Sequence, residues 1–579
     1  TIDDLFLEPK LGSDPVASVL DPNGTYQFVG GNAGKKGYFT KPDRNNFGPV
    51  VSFAWVPGGM GMLNRLFGEK KTVIRGGVRI GYVNDEYIKS AVNAGVGNAG
   101  LSATANALSP LTGASGFLND RASGSLTPPT ALAYIKPPFT YATNNARATN
   151  FGTVFAIDPN LQVERETEIN IGLQRELGWD TVFEIRYVGT RSNSLVRTID
   201  YNQVDIRNNG FGADYIRALG NARLCDAANA ATPGSCLTGS KFNGAIAGSQ
   251  VLTVIPNLLP AGQALFTSAN LALGTPADLA ITLVQGANTG TVKFLANPNT
   301  GVANVLANGG KLRYNALQTE IRRRFTNGWA LNANYTFQKI LTNITDDGIN
   351  QNRVNPYLDN ANPKLDYSRA AYDTTHSFNL SSIYELPFGK GRHFLNQGGI
   401  TNQIFGGWQI GNIVQITSGA PITFLDARGT LNRAARANNQ TASTNLTKDQ
   451  IRALLGFRNV NGTLYFIDPS IIGTSGRAAN GFGTTPFAGQ VFFNVNPGQT
   501  GNLERYAFNG PMYWNWDANI IKNFGISEST RLQLRLEAFN VTNSARFGAP
   551  SFAVGSTSFG KITSAYGPRI MQIAARFEF

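Results

Sequence analysis

With 15% charged residues, 64 glycines, 36 phenylalanines and 19 tyrosines in 579 residues, the chain is poorly suited to a helical enzyme. Aromatic residues pack on pleated surfaces, while Gly and Asn supply turns. The formal net charge of +13 invites nucleic-acid binding, but Lys and Arg are scattered singly, without a basic run, zinc-finger spacing or RNA-binding motif, so no nucleic-acid partner is expected.

No apolar stretch reaches the ~18 to 20 residues of a membrane-spanning helix, which leaves crossing by strands of ~9 to 11 residues open. The opening TIDDLFLEPK lacks the basic region and apolar core of an export signal, so an exported protein is expected to need an upstream segment. The glycine-rich Gly30 to Gly37 stretch has no GK[ST] ending and is not a phosphate loop.

In chain order, VVSFAWV and TVIRGGVRIGYV read as the first strands, with a small helix expected at MGMLNRLFG near Met60. ETEINIGLQREL and DTVFEIRYVG then pair across Gly178. A long loop over 189–312 carries Cys225 and Cys236 in LCDAANAATPGSC, a spacing that points to a disulfide in an oxidising compartment. YNALQTEIRRRF sets Leu317, Thr319, Ile321 and Phe325 against Gln318, Glu320, Arg322 and Arg324, and GWALNANYTFQ continues the alternation.

The loop at 342–373 holds Asp346, Asp347, Asp359, Asp366 and Asp373, hard oxygen ligands whose spacing misses the EF-hand pattern and which read as a solvated loop. THSFNLSSIYEL and GGWQIGNIVQIT follow, joined by Pro387 to Phe405 with room for a small helix. Thr447 and Gln450 form a capping box that starts a short helix on the outer rim. MYWNWDANIIKNFG and STRLQLRLEAFNVTN are joined by a polar turn, and MQIAARFEF places Met571, Ile573, Ala575, Phe577 and Phe579 on one face.

These are eleven strands. Alternation alone fits a soluble sandwich as well as a membrane barrel, but the strands are longer than the soluble average of ~5 to 6 residues and match a tilted bilayer crossing. Aromatics gather near strand ends, at Trp55, Tyr82, Trp179, Tyr187, Trp329, Phe337, Trp408, Tyr513 and Trp514. Arg175 and Arg323 break the apolar set beside turns, where long side chains reach headgroups. Short and long connections alternate, as expected of a periplasmic rim with tight turns and an extracellular rim with extended loops.

The expected fold is therefore all-β, an antiparallel transmembrane β-barrel in the outer membrane of a Gram-negative bacterium. Eleven strands are an odd number where bacterial barrels are even, so residues 1–579 read as the C-terminal part of a larger barrel domain.

The stretches PDRNNFGPVVSFAW, LQVERETEINIGLQREL, YNALQTEIRRRFTNGWALNANYTFQK, DTTHSFNLSSIYELPFGKG, GGWQIGNIVQITSGAPIT and RLQLRLEAFNVTNSARFGAP resemble the barrel of TonB-dependent outer-membrane receptors of the Oar-like type, from about residue 42 to 579. The resemblance implies a 22-stranded barrel preceded by a carboxypeptidase-regulatory-like domain and a plug, both absent from this chain. It also implies energised transport of a large ligand, peptide or protein, with the TonB complex engaged through the absent plug. The terminal strand resembles the signal that barrels present to their insertion machinery, with Met571, Ile573, Phe577 and Phe579 as its apolar face.

No catalytic constellation is legible. His376 and His393 are the only histidines, no G-x-S-x-G element accompanies them, and both read as polar lumen or turn residues. Neither a cofactor nor an enzymatic activity is expected. Function is expected in the long loops and in inward polar residues such as Glu320, Arg322, Arg535 and Glu537, with lipid against the other face. A passive porin or surface adhesin on the same barrel is the alternative.

Overall fold

The computed structural model describes residues 6–29, 40–57, 65, 67–83, 139–254, 269–287, 289, 291–344, 356–434, 440–527 and 529–579. The Gly30 to Gly37 stretch and nearly all of the helix expected near Met60 lie outside them, as do Asp346 and Asp347.

The alternating segments form one antiparallel meander in which every strand pairs with its neighbours in sequence. Its strands are β1 (Val50–Trp55), β2 (Thr72–Val83), β3 (Glu164–Gly178), β4 (Thr181–Asp200), β5 (Val302–Thr326), β6 (Trp329–Thr342), β7 (His376–Glu385), β8 (Trp408–Thr417), β9 (Tyr513–Gly525), β10 (Arg531–Phe539) and β11 (Ile570–Glu578). Two short strands join the sheet off this path: Ser368–Arg369 beside β6, and Thr153–Ile157, which pairs parallel with the start of β5 against the antiparallel expectation. β1 and β11 are the edges, and among the described residues no pairing joins them.

Residues directly opposite in antiparallel strands share a face. One row runs Ile573, Leu536, Ile520, Ile410, Tyr384, Trp329 across β11 to β6. Another runs Phe53, Gly76, Ile171, Tyr187, Leu317, Phe337 across β1 to β6. The apolar sets of all eleven strands thus merge into one continuous face.

That face is not covered. Ile573 is 83% exposed, Ile171 52% and Leu534 40%. A soluble sandwich would bury these side chains, whereas a bilayer is the solvent that suits so large an apolar surface.

The opposite face is polar. Arg79 pairs with Glu168 at 2.7 Å, Arg186 with Glu184 at 3.6 Å and Arg535 with Glu537 at 3.3 Å. Two of the tight turns have φ above zero at both central residues, Trp179 (48°) with Asp180 (54°), and Asn327 (49°) with Gly328 (77°). This primed geometry matches the right-handed twist of the flanking strands.

The buried apolar residues lie in the long connections. Between β4 and β5, α1 (Phe211–Ala231) and α2 (Pro276–Gln285) pack Phe211, Tyr215, Leu283 and Phe294 into one cluster. The β8–β9 and β10–β11 connections share a second, with Phe424, Phe492, Phe508, Phe552 and Phe559. α3 (Ile400–Phe405) lies in the Pro387 to Phe405 link, and α4 (Lys448–Leu454) carries the Thr447 and Gln450 capping box.

The connection expected over 189–312 is shorter than the alternation suggests. β4 continues to Asp200 and β5 begins at Val302. Beyond the exposed band their side chains are buried on both faces, Val196 and Leu306 against Phe155 and Ile157, so this part of the hairpin reads as a plain apolar run instead of an alternation.

Cys225, in α1, is bonded to Cys236. Closing so short a loop is worth roughly 2–3 kcal/mol. Cys225→Ser is expected to expose residues 232–250 to protease while leaving the strand wall intact, which limited proteolysis followed by mass spectrometry checks.

Candidate functional site

Three short stretches converge at one rim of the sheet: Gly419-Ala420-Pro421 after β8, Gly510-Pro511 before β9, and Gly548-Ala549-Pro550 after β10. They enclose a cavity of about 740 Å³, completed by Tyr372, Met512, Tyr513, Arg546, Phe547 and Tyr566. The close approach requires glycine: a Cβ on Gly419 would overlap the Gly510 carbonyl oxygen.

Tyr513 stands opposite Thr417, in line with Asn515 and Gln415, and so belongs to the polar face. Tyr513 stands at a strand end as expected, but it faces the polar side and only Trp514 faces the apolar one, because adjacent strand residues point to opposite faces. The Arg546 guanidinium lies 5.2 Å over the Tyr513 ring. A two-residue ladder, Arg546 with Tyr566 and Phe547 with Ala565, holds this arginine in place. Through Thr417 and Tyr513 the cavity meets the polar side, with one cation, Arg546, one carboxylate, Asp373, several aromatic rings and walls rich in backbone.

The connections above the sheet are joined by buried charge. Asp359 takes a bidentate pair from Arg207 at 2.9 and 3.1 Å, and Asp366 accepts from Leu358 N at 3.0 Å and faces Arg505 at 3.5 Å. Asp373 is paired with Arg369 and accepts from Ile340 N at 3.2 Å. All three aspartates are buried, which corrects the expectation of a solvated loop. Arg207 and Arg505 lie far off in sequence while Arg369 is four residues from Asp373, and a carboxylate can be buried when such donors satisfy it. Among the described residues no cluster of metal-ligating side chains occurs.

Asp278, in α2, joins its connection to the one between β8 and β9 by accepting from Ala434 N at 2.7 Å. Burial raises its carboxyl pKa, while the N–H donors of Ala434 and Gly429 and the charge of Arg433 oppose that shift.

Glu320 and Arg322 on β5 share the polar face with Arg535 and Glu537 on β10. Five strand-to-strand steps separate the two pairs, so they line one surface without forming one cluster. His376 is not on that surface. Register places it with Phe378 on the apolar side, where its Nδ1 meets the Tyr335 hydroxyl at 2.7 Å. His393 sits in the connecting turn against Phe394, with ring centroids 4.6 Å apart.

Met571, Ile573, Phe577 and Phe579 are all exposed, the first three on β11. A buried basic residue also lies on the apolar face. Lys522 is buried there beneath α3, donating to the Ile404 carbonyl at 3.3 Å and to the Gly406 carbonyl, with the Trp408 ring 5.3 Å away.

Sequence reasoning missed Arg546, Tyr372 and Tyr566, which lie in stretches without periodicity. The legible signal was the recurrence of Gly and Pro beside three strand ends, in SGAPIT, NGPMYW and FGAPSF.

Comparison with known proteins supplies the family. No curated protein matches the chain. Among solved structures, the outer membrane transporter YddB from Escherichia coli aligns at 8% identity and a TM-score of 0.34, over 88% of this chain and 39% of its own. The ferripyoverdine receptor of Pseudomonas aeruginosa aligns at 9% identity and 0.31, over 96% and 35% respectively. BauA, the ferric preacinetobactin receptor from Acinetobacter baumannii, aligns at 8% and 0.29, over 88% and 34%. The chain spans well under half the length of these proteins. The family model described as outer membrane beta barrel domain matches residues 7–572. With that match over an exposed apolar face backed by a polar one, the chain belongs to the outer membrane beta barrel domain family, placing its sheet in the outer membrane of a Gram-negative bacterium.

Proposed function

We propose that the chain forms part of the barrel wall and the extracellular cap of a TonB-dependent transporter of the Oar-like type, moving a large ligand, peptide or protein, without catalysing a reaction. The carrying observation is the mouth cavity of about 740 Å³ that meets the polar face. Aromatic rings, Gly and Pro walls and one charge of each sign, Arg546 and Asp373, suit an extended peptide, which offers backbone polar groups along its length and apolar side chains at intervals. From the mouth, the polar face carrying Glu320, Arg322, Arg535 and Glu537 would line the path. The sequence resemblance supports an energised barrel of 22 strands, of which residues 1–579 supply one domain.

The exposed edge strand β11 supports a role in assembly: Met571, Ile573, Phe577 and Phe579 offer the insertion machinery an apolar surface beside an unpaired backbone edge.

Arg546→Ala combined with Tyr513→Ala is expected to lower uptake of a labelled peptide library at least tenfold in cells while leaving the amount of folded barrel unchanged. Unchanged uptake would remove the mouth from the path. Uptake that survives collapse of the proton-motive force would assign the barrel to the passive porin class.

A further inference from the structure

The outward face ends, toward the extracellular rim, in a row of cations. Arg165 on β3, Arg191 on β4, Arg313 and Lys311 on β5, and Lys339 on β6 all share the parity of the apolar residues below them and are exposed. Arg191 and Arg313 stand directly opposite each other. Like charges in that position repel, at a Cβ separation of ~4.5–5.5 Å, and destabilise the pair of strands. Among the described residues none of the five has a carboxylate partner, in contrast to Arg79, Arg186 and Arg535 on the polar face.

The position of the row is informative. Arg165 and Arg175 on β3, and Arg313 and Arg323 on β5, are each ten residues apart. At ~3.3 Å per residue and a tilt of ~40° that spacing spans ~25 Å, the height of the apolar band of an outer-membrane barrel. The lower arginines lie beside turns and the upper row tops the band, with Arg191 and Arg313 further toward the rim than the Tyr187–Leu317–Phe337 row.

Beside Lys339 lies a cavity of about 660 Å³ to which Phe337, Tyr367 and Lys364 contribute; the connections add Arg369, Lys448 and Arg452 to its lining, together with the carboxylates Asp373 and Glu504. An anion on the outward side at that height is a headgroup of the outer leaflet.

We infer that this row is a binding site for the phosphate groups of an outer-leaflet glycolipid, lipopolysaccharide, whose acyl chains lie against the apolar band. Each phosphate would bridge cations of neighbouring strands, Arg191 with Arg313 first, and would thereby relieve the repulsion that the bare protein carries. The sugar would lie against Phe337 and Tyr367. The inference rests on the membrane orientation of the sheet and is independent of the cargo.

The test measures lipopolysaccharide retained by protein purified from outer membranes in mild detergent, and the shift in unfolding temperature when lipopolysaccharide is added back. Wild type is expected to retain it, and the Arg191→Gln/Arg313→Gln variant to retain at least fivefold less. Because that variant loses a repulsion and no partner, it is expected to fold; Lys339→Gln, with a smaller loss, gives a second measure. Arg191→Lys/Arg313→Lys and the lower-row Arg175→Gln/Arg323→Gln variants are expected to retain lipid as wild type does. Dephosphorylated lipopolysaccharide and inorganic phosphate alone should give no temperature shift. Equal retention by wild type and the double Gln variant would overturn the assignment. So would equal stabilisation by the dephosphorylated lipid or by free phosphate.

Discussion

Leu317→Arg is expected to destabilise the barrel by about 2–4 kcal/mol, the cost of a cation near the bilayer midplane. Thr336→Arg, on the polar face of β6 opposite Gln318, is expected to change stability by no more than about 0.5 kcal/mol. Leu317 lies in the apolar row between Tyr187 and Phe337, well inside the band that Arg313 and Arg323 bound.

Urea unfolding of protein reconstituted in vesicles measures both variants. Destabilisation by Leu317→Arg alone would also follow from burial in a protein core, so a second readout separates the cases. Trp placed at 317 should be quenched by brominated lipid and be indifferent to aqueous iodide. Equal effects of the two substitutions, or quenching from water, would refute the placement of lipid against this face.

In the cap, Phe424→Ala is expected to cost about 3–5 kcal/mol, the range for deleting a fully buried aromatic ring. Phe424 stacks on Phe492 at 4.5 Å between centroids and meets Phe552 edge-on at 4.9 Å and Phe508 at 5.5 Å. The cluster joins the β8–β9 connection to the β10–β11 connection, so its loss should separate the two and open the mouth wall built from Gly419 and Gly548.

The expected result on intact cells is rapid protease cleavage within residues 418–512, with the strand wall still running as a folded, heat-modifiable species on gels. Resistance equal to wild type would mean that the ring cluster does not hold the cap. Simultaneous loss of the wall would mean that cap and wall unfold as one unit.

Much of the wall was legible because period-two alternation is a local property. Leu532, Leu534 and Leu536 against Gln533, Arg535 and Glu537 specify a strand and its two faces without reference to any neighbour. The turn at Asn327-Gly328 was equally readable, since positive φ at both positions selects those residues. Where burial on both faces replaces alternation, as at Val302 to Leu306, the pattern stops marking a strand, and the ends of β4 and β5 read as loop. Lys522 escaped notice for a related reason. It follows Ile520 on the apolar side, and what permits a cation there is the carbonyl pair at the end of α3, more than a hundred residues earlier.

The mouth was less legible. Its lining comes from three connections that the alternation treats only as intervals between strands, and Arg546 and Tyr513 meet only because a two-residue ladder folds one connection over another. The aspartates at 359 and 366 show the same limit, because composition reveals acidic residues but not the distant Arg207 and Arg505 that allow them to be buried.

The order of residues by itself therefore determined the strands, their two faces and their tight turns, because each of these depends on neighbours one to four positions away. Tertiary structure alone decided which connections share a core, where charge is buried and where a cavity opens. Those outcomes depend on the register that brings side chains together across intervals of more than 150 residues, and no local pattern encodes that register.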